Sequence, residues 1–365
     1  MVGRRQLAAA LVLVIATGLL GLAGGPPGSA RGPLGLAGAG DDGPSPVAPE
    51  PDERLPAAPE PAQPNVFFNP KLFYGGLEAA RGAAATVAGP LAGGLVPHHD
   101  LAAELLSGFF LQLEAEPPEV IFLVGPNHDA AGQPVITGRR SWQTDFGLVE
   151  ADRAAVDALV AAGLAAVDEA VLAREHSMGT LMPYIKYHAP GARVVPLVLH
   201  RNLTLPELKR LADGLAEQLG PGRILVVSVD FSHYLTRAEA EARDEETLAA
   251  VMAGDLDRLL GMGNDHLDSP GAVAVLLMAM EASGAEGPAV LGHTNSGRIL
   301  RDDLVETTSY FTFVFVNGDG AKEVSGPSLP RDDLAASPSS AAALRPDKAV
   351  KPQVSQFVVV TGTDT

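Results

Sequence analysis

The chain contains no cysteine. That excludes disulfides, thiolate metal ligands, cysteine nucleophiles and lipid attachment through an N-terminal cysteine. Positive charge is also scarce: 26 Lys and Arg stand against 44 Asp and Glu, for a formal net charge of -18. No cluster of Lys and Arg is dense enough to neutralise several phosphates, which argues against nucleic-acid binding. HExxH zinc helices, phosphate-cradling Gly loops ahead of a helix and GxSxG nucleophile elbows are all missing. Any metal site must therefore be assembled from distant segments.

Glycine and proline are plentiful, 40 and 30 of 365 residues, and unevenly spread. The chain opens MVGRRQLAAALVLVIATGLLGLAGG, where Arg4 and Arg5 precede an apolar run from Leu7 to Ala23. This layout predicts an export leader over residues 1–24. Its apolar run is close to the lower limit for crossing a bilayer, so retention as an N-terminal anchor is the second reading. Both readings place the folded part outside the cytoplasm, with membrane contact only through this segment. Residues 25–64 are rich in Pro, Ala, Gly and acids and show no periodicity, which predicts a disordered linker. The same bias over 318–365 predicts a disordered tail, leaving one globular domain over 65–317.

Within that domain short aliphatic runs alternate with Ala/Leu/Glu-rich amphipathic segments. Strands are expected at Ala92–Val96, Val120–Val124, Arg193–Leu199, Ile224–Val229, Ala289–Gly292 and Ser309–Val316. Helices are expected at Leu101–Glu114, Ala151–Ala162, Leu205–Leu219, Arg237–Met252 and Gly271–Ser283. This alternation predicts an α/β domain with a central, largely parallel sheet flanked by helices.

Three expected strands run into polar residues of one kind. LVPHHD places His98, His99 and Asp100 after the first, FLVGPNHD places Asn127, His128 and Asp129 after the second, and SVDFSHYL places Asp230 and His233 after the fourth. The carboxyl ends of parallel strands share one edge of a sheet, where ligands bind. Repetition at equivalent positions points to a shared crevice. Neutral imidazoles with carboxylates suit Zn, Cu or Fe(II). His188 and His200 lack that repetition and read as hydrogen-bonded turn residues.

VPHHD, LVGPNH, SWQTDFGLVEAD, EHSMGTLMPYI, RVVPLVL, ILVVSVDFSHYL and SPGAVAVLL occur in this order. In these motifs the domain resembles the MEMO family, including the bacterial AmmeMemoRadiSam system protein B members. That family shares a fold with class III extradiol ring-cleaving dioxygenases of the LigB type. The resemblance implies that His98 and His128 are metal ligands. The family's third ligand is often a cysteine four residues before a helix-opening proline; here that proline looks like Pro270 and the position holds His266. His176, Asp230 and His233 match pocket residues, which implies that they move protons around a bound ligand. Gly179 and Leu181 stand where the family usually carries Glu and His, and His99 where it carries a small residue.

The first functional reading is a metal-dependent oxidoreductase of extradiol-dioxygenase type, with Fe(II) as cofactor and Cu or Zn as alternatives. The second is a non-catalytic module that binds a metal, a small molecule or a peptide. The third is a metal-dependent hydrolase drawing on Asp100, Asp129, Asp230 and Asp265.

Overall fold

The computed structural model describes residues 61–83, 86–318 and 324–325. The expected leader (1–24) lies outside them, as do most of the linker (25–64) and of the tail (318–365). Nine strands form the main sheet: β1 (Leu91–Val96), β2 (Val120–Pro126), β3 (Val135–Thr137), β4 (Ala166–Val167), β5 (Arg193–Leu199), β6 (Arg223–Ser228), β7 (Phe231–Leu235), β8 (Glu286–Asn295) and β9 (Thr307–Val316). Their order is β7-β9-β1-β6-β2-β5-β3-β4, with β8 also paired to β9. The centre, β1-β6-β2-β5, is wholly parallel. Its margins are not: β9 runs antiparallel to β1, β7 and β8, and β3 antiparallel to β5.

Alternation along the central strands explains why they read as unbroken aliphatic runs. Successive side chains point to opposite faces, and both faces are covered. Phe122, Val124, Val195, Leu197, Leu225 and Val227 enter one core with helices Arg153–Ala161, Leu205–Ala216 and Pro270–Ser283. Ile121, Leu123, Val194, Val198, Ile224 and Val226 enter the other with helices Pro70–Gly82, Ala103–Leu111 and Met182–His188. Each fully buried Leu or Phe in these layers contributes about 1.5–3 kcal/mol.

Several elements were not apparent in the sequence pattern. Phe231–Leu235, assigned to no element in the sequence pattern, is the marginal strand β7, bent by a register shift against β9. Helix Pro70–Gly82 escaped notice although Asn69 caps it and Pro70 opens it. Gln63 and Pro64, expected at the end of the linker, pair with Trp142 and Gln143 in a separate three-stranded sheet completed by Gly147–Val149. Gln63 is buried there, so this end of the linker is held by backbone pairing that composition does not report.

Two glycines make opposite demands. A Cβ on Gly94 in β1 would collide with the Phe109 ring and the Phe313 carbonyl, whereas one on Gly75 meets nothing. Gly94→Ala is expected to cost about 1–3 kcal/mol by overpacking. Gly75→Ala, inside helix Pro70–Gly82, is expected to stabilise by about 0.5–1 kcal/mol. Urea unfolding of both variants checks the pair, and a neutral Gly94→Ala would contradict the packing described.

Candidate metal centre

The central strands stop where the sequence forbids another rung. Pro97 follows β1 and Pro126 ends β2, and neither can donate to a ladder. Ser228 of β6 pairs with Val96 of β1, so two residues further on Asp230 and His98 reach the same level. His98 N–H accordingly donates to Asp230 Oδ1 at 3.0 Å. Near the end of β2, Gly125 admits a close neighbour: a Cβ there would lie 2.7 Å from Met178 Cε and 3.0 Å from Ser177 Oγ. That approach brings the short helix His176–Gly179 against the strand end and delivers His176 beside His128.

His98, His128 and His176 converge. One ring nitrogen from each lies within 4.8 Å of the other two. The His128 and His176 rings stack at 4.1 Å between centroids, and His98 stands edge-on to both at 5.2 Å. Glu175 ties the group together. Its Oε2 accepts from His128 N–H, and its Oε1 pairs with His128 Nδ1 at 2.7 Å and accepts from Ser177 N–H as a helix cap. His128 Nε2 is thereby left to face the cluster.

A similar argument orients His98. Ser228 Oγ donates its single proton to the Ser177 carbonyl at 2.7 Å. It must therefore accept from His98 Nδ1–H, 3.1 Å away, which turns His98 Nε2 inward. There Nε2 meets Asp268 Oδ2 at 3.2 Å, and the same oxygen lies 3.8 Å from His128 Nε2. The other oxygen, Asp268 Oδ1, is buried with no hydrogen-bond partner.

Burial and charge compete at every one of these groups. Burial opposes a proton on His98, but Asp230 and Asp268 raise its pKa overall. Burial likewise opposes the charged form of His128, yet Asp268 and Glu175 push its pKa up to about 10. Glu175, despite its burial, is held down at about 2 by His128. Asp268 also stays below the usual carboxylate range, because the charges of His98 and His128 outweigh burial. His176 goes the other way: burial, with His98 and His128 beside it, lowers it to about 4. The site thus pairs buried carboxylates with two proton-loving imidazoles and presents a third that stays neutral.

The sequence-read residues fall into two groups. His98 and His128 are in the cluster; His176, read as a proton carrier around it, is a full member. His266, expected as the third ligand, is not brought to it. It sits in the turn before Leu267 bridges to Phe231, and its ring lies between Glu246 and Asp265, 3.2 Å from each. The same loop delivers Asp268 instead, since Asp268 N–H bonds to the Asp230 carbonyl. Asp230 holds the His98 backbone, with its Oδ2 3.8 Å from His98 Nε2. His233 is half-buried, with its Nδ1 buried and unpartnered. His188 pairs with Glu114 and His200 with the Ala131 carbonyl, in keeping with structural roles.

Asp268, Glu175 and Ser228 were missed. Glu175 and Ser228 stand inside motifs singled out in the sequence (EHSMG, SVDFS), and Asp268 immediately precedes a third (SPGAV), but none of them is a histidine. Another pair at this edge, His99 Nδ1 and Tyr310 Oη, lies at 2.6 Å.

The donors present fit a divalent transition metal. They are imidazole nitrogens aimed inward, two of them fixed by outer hydrogen bonds, together with a buried carboxylate oxygen lacking a partner. With no thiolate available, a soft-metal preference is not built in.

Fold and site define an α/β protein with a histidine-rich candidate metal centre at the carboxyl edge of its sheet. The chain belongs to the Memo-like protein family, whose model matches residues 89–314. It is similar to a MEMO1 family protein of Methanopyrus kandleri, 28% identical over 213 residues, covering 56% of this chain and 75% of the relative. Another, from Aeropyrum pernix, is 31% identical over 189 residues, covering 50% of this chain and 67% of the relative. The crystal structure of an uncharacterized protein from Escherichia coli K12 aligns with a TM-score of 0.44 at 15% identity, over 61% of this chain and 99% of that one.

Two measurements test the centre. Glu175→Gln preserves shape but removes the charge that orients His128, and is expected to weaken metal affinity about 10–100-fold. Competition with a chromophoric chelator reads this; unchanged affinity would remove Glu175 from the orienting role. The second concerns the metal-free protein. His128, raised to about 10, stabilises fully below 6.5 and loses that contribution as pH rises through 10. Glu175, lowered to about 2, stabilises above 4.5 and loses its share as pH falls through 2. His176, lowered to about 4, favours folding when neutral and loses that share as pH falls from 6.5 through 4. The urea midpoint is therefore expected to peak near pH 6.5 and to decline on both sides. In Glu175→Gln the alkaline decline should flatten.

Proposed function

We propose that this chain is a mononuclear metalloprotein of extradiol-dioxygenase type. His98, His128 and Asp268 would hold the ion, with His176 beside them as an acid–base group. The observation that carries the reading is the convergence of three ring nitrogens within 4.8 Å at one sheet edge. Two histidines with one carboxylate and open positions form the donor pattern of non-haem Fe(II) oxygenases, which makes Fe(II) the first candidate ahead of Cu and Zn. The ion would supply Lewis acidity and electron transfer.

The protein's own contribution is access and proton control. His98 and Asp268 are buried, whereas the side chains of His128 and His176 are 32% and 45% exposed, so a small ligand reaches the site across those two rings. His176, 45% exposed and stacked on His128, is placed to exchange a proton with a hydroxyl bound there. Asp230 keeps the His98 backbone in place, and His233 with its unpartnered Nδ1 is a second proton carrier at the rim. The N-terminal segment carries the chain out of the cytoplasm, in keeping with Arg4, Arg5 and the apolar run behind them.

Metal analysis of chelator-free preparations is expected to give about one transition-metal ion per chain, falling by about tenfold or more in His128→Ala and Asp268→Ala. Undiminished metal content in His128→Ala would overturn the assignment. The iron-loaded protein is expected to open catechol-type rings in air and His176→Ala to slow this by about 10²–10⁴-fold. Metal bound tightly with no turnover would instead favour the ligand-binding reading.

A further inference from the structure

A cavity of about 410 Å³ is lined by Arg237, Glu241, Arg298, Arg301 and Asp303. Three guanidiniums thus face two carboxylates, an excess of one positive charge. The carboxylates are already engaged: Glu241 Oε1 lies 2.8 Å from Arg298 Nε and 3.7 Å from Arg237 Nε, and Asp303 Oδ1 lies 2.9 Å from Arg237 Nη1. Arg301 has no such partner among the described residues, although acidic residues outnumber basic ones by 18 in this chain.

Backbone strain collects at the same place. Among the described residues, the non-glycine residues at positive φ are Ala130, Tyr234 and Arg301. Arg301, at φ 56 and ψ 43, lines the cavity as the left-handed C-cap of helix Ser296–Leu300, and Tyr234, at φ 62, stands three residues before Arg237 in the chain. Strain of this kind persists where the surroundings over-determine it, commonly at ligand sites. Exposed apolar side chains gather here too. Tyr234, Ile299, Leu300 and Leu304 are exposed, and each lies within three residues of a lining residue.

We infer that this cavity binds the oxyanion group, phosphate or carboxylate, of a small amphiphile whose apolar part lies against the Tyr234, Ile299, Leu300 and Leu304 rim. The warrant is chemical: guanidinium forks match the paired oxygens of phosphate and carboxylate, and the surplus charge awaits an anion. The ligand could be soluble or the headgroup of an anionic lipid. Neither source depends on the metal centre.

The test uses metal-free full-length protein and three probes: inorganic phosphate, hexyl phosphate, and phosphatidylcholine vesicles containing phosphatidic acid. Hexyl phosphate is expected to bind about tenfold tighter than inorganic phosphate, because its chain covers apolar surface. Arg301→Gly removes the guanidinium and relieves the left-handed strain. It is expected to weaken hexyl phosphate about tenfold while leaving Tm unchanged or higher. Arg301→Lys, which keeps the charge and loses the fork, should fall between the two. Vesicle binding that requires Arg301 would assign the site to lipid headgroups, and hexyl phosphate binding without vesicle binding to a soluble ligand. Failure of all three probes to bind overturns the proposal, as does full binding by Arg301→Gly. His128→Ala is expected to bind hexyl phosphate normally, and loss of binding there would move the anion to the metal centre and also overturn it.

Discussion

Glu175 is almost wholly buried and stays charged because His128 pairs with one of its oxygens and donates its backbone N–H to the other. Leaving a carboxylate there unpaired would be strongly unfavourable, so the turn after β2 and the helix that starts at His176 are locked to one another. Ser177 N–H completes the arrangement from the helix side. Through this one carboxylate the fold sets the orientation of His128 and the placement of His176. The Ser228 hydroxyl does the equivalent for His98 by committing its proton to the Ser177 carbonyl.

These contacts need strand ends that meet at a common level. The parallel register of β1, β6 and β2 supplies it, and Gly125 allows the helix to come close enough. Proline at the exits of β1 and β2 stops the ladder, freeing the following residues to turn into the crevice. The two cores behind the sheet stiffen this edge from both sides, so the histidines project from a packed support rather than from loops alone.

Much of the fold was legible in the sequence. Aliphatic runs separated by amphipathic segments report a sheet buried on both faces, since burial on both faces erases the alternation of a half-exposed strand. The antiparallel margins were less visible: β7 is a bent edge strand whose exposed residues follow no clear period. At the site, His98 and His128 stood out through repetition after successive strands. Asp268 did not, because counting back from Pro270 pointed to His266, and only the bridge between Leu267 and Phe231 shows which residue of that loop comes to lie beside Asp230. Glu175 was passed over because a carboxylate beside a histidine in sequence carries no sign of burial.

By itself the sequence determined the family, the α/β class and the exclusion of thiolate chemistry, because these depend on residue type, period and motif order. Tertiary structure decided the membership of the cluster. It brought His176 in, left His266 between Glu246 and Asp265, and placed Asp268 against two imidazoles. The reason is physical: ligand sets depend on distances of a few ångströms between segments far apart in the chain, and those are set by strand register, turn geometry and the pairing of buried charge.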